Sequence, residues 1–135
     1  MNKQFFISLL FALITFVILG GLFGNFVFLP EFATWHEAYP DAVRETPDFV
    51  SGFVLGLLQL IAFVVLLPKL QITSGSGAAV FGAVYSVVIW LIVDLQMVSV
   101  TNIVSYEYVL KDALLSAVMG AILGVVVSWS QRRFA

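Results

Sequence analysis

Four apolar stretches, each long enough to cross a bilayer and joined by short polar connections, constrain this chain more than any other feature. They cover about residues 4–29, 48–69, 77–100 and 106–131. A helix needs roughly 20 apolar residues to cross about 30 Å of hydrocarbon. In lipid each backbone amide must be satisfied within its own segment, so all four are expected to be α-helices. The period-2 alternation of a membrane barrel is absent. The predicted fold is all-α: one integral membrane bundle of four transmembrane helices over residues 1–135, running up-down-up-down.

Composition agrees. Apolar residues make up 61% of the chain and charged residues 10%, against about 45–50% and about 25% in a soluble domain. Six basic and eight acidic side chains could not cover a soluble surface. A net charge of −2 argues against nucleic-acid binding. The absence of cysteine removes disulfides and thiolate chemistry, and a single histidine removes multi-histidine metal centres. No nucleophile motif, phosphate-binding loop or paired-carboxylate signature is present. The expectation is a protein that is not an enzyme and carries no cofactor or metal.

Basic residues set the expected orientation. An even number of spans puts both termini on one side, together with Lys3, Lys69, Arg132 and Arg133; Arg44 and Lys111 fall on the other. This bias predicts cytoplasmic termini, and the protein is expected in a bacterial inner membrane. The first apolar run is too long for a signal-peptide core, and no Ala-x-Ala site follows it. It reads as an uncleaved helix ended by Pro30. The outer loop 30–47 carries Phe32, Trp35 and Tyr39 at helical spacing, as an amphipathic turn at the interface would. Thr46-Pro47-Asp48 reads as an N-cap, a first-turn proline and a first-turn acid.

Each span carries two small residues four apart: Gly20/Gly24, Gly52/Gly56, Gly82/Ser86 and Gly120/Gly124. Small residues let backbones approach where lipid provides little hydrophobic drive between helices, so all seven glycines are expected at helix contacts. The fourth span has a row Ser116, Gly120, Gly124, Ser128 with alanines beside it. The first span spreads phenylalanines around its circumference, as a helix facing lipid or a partner protein would.

Asp94 is the one ionisable residue well inside a span. An intramembrane acid is costly, about 2.5–3.5 kcal/mol on insertion scales, and usually faces protein or a water-filled path. Gly82, Ser86, Trp90, Asp94, Met97 and Thr101 share one side of the third span, a stripe that could line a polar crevice. The alternative is a hydrogen-bonded aspartate that pins this span to Asn25, to Gln59 or to the fourth span. Asp94, Gln59, Asn25, Trp90 and Ser86 form the candidate polar site. Lys111 and Asp112 read as boundary charges, although Asp112 could approach Asp94 and share a proton or cation. His36, near Glu31, Glu37 and Asp41, reads as a solvated loop histidine rather than a ligand.

The run Gly82, Tyr85, Asp94-Leu95, Thr101-Asn102, Asp112, Gly120 and Gly124 resembles the second half of small four-helix bacterial inner-membrane proteins grouped as families of unknown function. The resemblance implies a four-span fold and no activity. Two functions remain open. One is a small polytopic membrane protein acting through helix–helix packing, as a homo-oligomer or an accessory subunit of a larger membrane complex. The other is a small oligomeric transporter or channel that uses Asp94. The partners expected are the lipid bilayer and either a second copy or another membrane protein.

Overall fold

The computed structural model describes residues 3–135, and these are almost entirely helical. Helix α1 (Lys3–Phe23) passes through a π-helical turn (Gly24–Phe28) directly into α2 (Leu29–Ala38); α3 (Phe49–Lys69), α4 (Gly75–Val100) and α5 (Tyr106–Arg133) follow. The α1–α2 rod, α3, α4 and α5 are each long and apolar enough to cross a membrane.

Pro30 does not end the first helix. A proline inside a helix lacks one donor, and its ring meets the carbonyl four residues back. The π turn absorbs both defects: the Leu29 amide donates to the Gly24 carbonyl, five residues back, and the widened turn lets the helix continue to Ala38. Such single π turns are frequent at functional sites. The interfacial aromatics therefore sit on a rigid continuation of α1. Phe32 and Trp35 pack against α5, with the Trp35 and Tyr108 rings 4.7 Å apart. Tyr39 donates from its hydroxyl to the Asn102 carbonyl at 3.2 Å.

Side chains cap the other helices. Asp48 is itself the N-cap of α3, accepting from the Val50 and Ser51 amides and from the Ser51 hydroxyl. Ser74 caps α4 and Ser105 caps α5. Helix α3 ends at Gln71, whose φ of 56° is left-handed. The Gln71 and Ile72 amides return to the Pro68 and Leu67 carbonyls, the double bond that closes a helix C-terminus.

Helices α4 and α5 are antiparallel and in backbone contact. A methyl group at Gly82 would strike the Gly120 carbonyl, and one at Gly124 would strike the Ala78 carbonyl. At Gly56 a methyl group would sit 2.6 Å from the Phe16 ring. Gly20, Gly24 and Gly52 differ: nothing lies within 4 Å of a methyl group placed there. The contacts expected at these three glycines are not made within the chain.

The core has two parts. Around Lys69 and Arg132, the buried residues Ala12, Leu60, Phe63, Val64, Leu67, Ala78, Leu123 and Val127 pack together. Polar groups clamp this end. The buried Ser8 and Ser130 hydroxyls are 2.9 Å apart, and the Gln131 amide donates to the Val64 carbonyl. At the opposite end Val104, Tyr108 and Val109 pack with Phe28, Phe32 and Trp35. Between these parts the helices separate and leave a cavity.

Candidate functional site: an apolar cavity with a buried aspartate in its wall

The cavity has a volume of about 610 Å³. Gly20, Gly21 and Gly24 of the α1–π segment form one wall, and Gly52 in the first turns of α3 forms another. The glycines that found no partner helix are thus the ones whose missing side chains leave this space open. Phe16 lies across Gly56 at the inner end. Phe28, Phe49, Phe53, Trp90 and Tyr108 supply aromatic surface. The π turn contributes Gly24, Asn25 and Phe28, so the feature that accommodates Pro30 also shapes the cavity. This volume lies within the roughly 300–1,000 Å³ of small-molecule sites.

Few polar groups reach the space. Asp48 stands among the lining residues near the start of α3, and Asp112 and Ser116 project from α5. The Ser51 hydroxyl and amide, with the Val50 amide and Arg44, hold the Asp48 carboxyl below its ordinary range. The Ser116 hydroxyl donates to Asp112 Oδ1 at 3.3 Å. Asp94, on α4, does not line the cavity. It stands behind Asp112, and the two carboxyl groups lie close enough to interact. Asp94 is 6% exposed and Asp112 5%, and Asp94 Oδ2 has no hydrogen-bond partner. Lys111, one residue from Asp112, is occupied by Glu31 at 3.0 Å. None of the residues lining the cavity is basic.

The stripe read from the third span does not form one crevice. Gly82 and Ser86 lie against Gly120 of α5, Trp90 turns into the cavity, and Asp94 meets Asp112. Asn25 lines the cavity but donates to the Gly21 carbonyl in its own helix, at 2.8 Å. Gln59 lies elsewhere, in a small void with Ser86 and Tyr85; its backbone carbonyl accepts from the Tyr85 hydroxyl and its buried Oε1 has no partner. Of the three partners open to Asp94, the fourth span is the one it meets. His36 bonds through Nδ1 to the Val43 carbonyl at 2.7 Å and steadies the loop after α2.

Three components differ from the first reading of the sequence. Asp112 reads there as a boundary charge, with an approach to Asp94 as the alternative; the structure takes the alternative, turning Asp112 inward while Lys111 faces Glu31. The glycines of the first span were assigned to packing. The Ser8–Ser130 clamp had a legible signal, two hydroxyls inside apolar runs, but no means of pairing them.

Fold and site together define an all-α chain with four helices of membrane-spanning length and a cavity whose wall carries the buried Asp112. No protein-family model, curated protein or solved structure matches the chain.

Proposed function

We propose that the protein is a small polytopic, non-catalytic membrane protein that binds a ligand in this cavity and works as a small transporter. It is assembled as an oligomer, because four helices rarely enclose a full path alone. The observation that carries this reading is the position of Asp112: a nine-tenths buried carboxyl at the wall of a largely apolar space, backed by a second buried carboxyl. Intramembrane acids at a cavity mark pathways and binding sites more often than packing sites. The ligand-facing acid in this reading is Asp112, and Asp94 supports it from behind. The distribution of Lys3, Lys69, Arg132 and Arg133 against Arg44 and Lys111 supports cytoplasmic termini in a bacterial inner membrane. The cavity then opens toward the outer side.

A second reading has its own observation. Gly20, Gly24 and Gly52 offer a surface into which a helix of a second copy or of a larger complex would fit, as the packing function requires. One experiment separates the two. The chain has no cysteine, so Ser116→Cys can be labelled alone. In membrane vesicles it should react with a small neutral thiol reagent, and Gly24→Leu should block the reaction by filling the space. Failure of Ser116→Cys to react, with a partner co-purifying in mild detergent, would refute the ligand-binding reading and favour packing.

A further inference from the structure

We propose that the cavity selects an organic monocation with an apolar body, using Asp112 as its counter-charge. This rests on the cavity being a binding site and names the class of ligand that the site takes.

Charge argues first. The titratable acids on the lining are Asp48 and Asp112, with Asp94 behind Asp112 and Glu31 on the adjoining helix. Lys111, the cation of this stretch of α5, is held by Glu31, and no base lines the space. An anionic ligand would meet only like charge, and a neutral one would leave the carboxyl pair without a counter-ion.

The lining argues next against an inorganic ion. Calcium takes six to eight oxygen ligands and magnesium demands near-ideal octahedral oxygens. The lining's other side-chain oxygens are few: the Ser116 hydroxyl already donates to Asp112, Asp48 is engaged as the cap of α3, and Asn25 bonds within its own helix. Aromatic faces suit an organic cation, because the negative face of a ring attracts a poorly hydrated positive charge. Trp90 and Tyr108 share the lining with Asp112, and Tyr108 stands one helical turn from it on α5. The glycine walls supply room for the apolar body, and the buried Asp94 carboxyl stands directly behind the anchor.

The test uses two ions of the same shape and opposite charge, tetraphenylphosphonium and tetraphenylborate, titrated against the purified protein in lipid nanodiscs with empty nanodiscs as blank. Tetraphenylphosphonium should bind above the blank and tetraphenylborate should not. Asp112→Asn should weaken cation binding about tenfold or more, the scale of losing a desolvated charge partner. Gly24→Leu should abolish it. If Asp112→Asn does not fold, Asp112→Glu must keep the preference for the cation, and Gly52→Leu must remove binding.

Equal binding of both ions, lost in Gly24→Leu, would overturn charge selection while leaving the cavity a ligand site. Cation binding insensitive to Asp112→Asn would overturn the role of the carboxylate. Cation binding insensitive to both glycine fillings would place it outside the cavity and overturn the proposal. Absence of cation binding in a protein whose Ser116→Cys variant is labelled would overturn the ligand class alone.

Discussion

Replacing Gly82 by alanine adds one methyl group at the point where α4 and α5 touch through their backbones. The new carbon would overlap the Gly120 carbonyl oxygen, lie 2.8 Å from the Gly120 carbonyl carbon and 3.3 Å from the Gly124 Cα. None of these is the flexible end of a side chain, so the helices must part, by on the order of 1 Å. A gap of that size forfeits about a quarter to a half of each contact's dispersion energy, along the densest interface in the fold. Adding the overpacking cost, typically about 1–3 kcal/mol, gives an expected destabilisation of about 3 kcal/mol. Gly52→Ala carries the same substitution into open space and should gain about 0.5–1 kcal/mol from helix propensity. The two changes should therefore differ in sign. Reversible unfolding in mixed micelles, followed by circular dichroism, measures both. Equal effects would show that α4 and α5 do not meet at Gly82 and would remove the basis for the Asp94–Asp112 contact.

Cysteines at Ser74 and at Ala42 should label from opposite faces of the membrane, with Ala42 outside; labelling from one face would overturn the four-span topology. Asp48 has a carboxyl held below its ordinary value of 3.8 chiefly by Ser51. Its contribution to α3 is fully present above that value and is lost as pH falls through the lowered one. The stability difference between the native chain and Asp48→Ala should therefore persist at neutral pH and vanish in strong acid, as pH-dependent melting would read. Gln71→Gly removes a left-handed non-glycine conformation that costs roughly 1–2 kcal/mol and should raise the melting temperature; a fall would mean that the Gln71 side chain makes a stabilising contact.

What the sequence determined by itself follows from the solvent. In hydrocarbon a helix satisfies its backbone locally, so length and hydropathy located all four spans without knowledge of their neighbours. Caps are local as well, because Ser and Asp act on amides two or three residues away, yet the Ser74 and Ser105 caps went unread. At Thr46-Pro47-Asp48 the motif was visible and only its register was misread, with Asp48 in place of Thr46 as the cap. Pro30 was misread because its local effect is to break a helix, and the π turn Gly24–Phe28 just before it removed that effect.

Tertiary structure decided everything that depends on what stands opposite. Gly20, Gly52, Gly82 and Gly120 sit in the same small-residue pattern. Gly82 and Gly120 press on each other, while Gly20 and Gly52 face an open cavity. A small residue permits close approach without attracting a partner, and lipid supplies no hydrophobic force to choose one. The meeting of Asp94 with Asp112 has the same origin. Their separation along the chain says nothing about contact until the Gly82–Gly120 crossing fixes the register of α4 on α5, and that register brings the two carboxyls to one level beside the cavity.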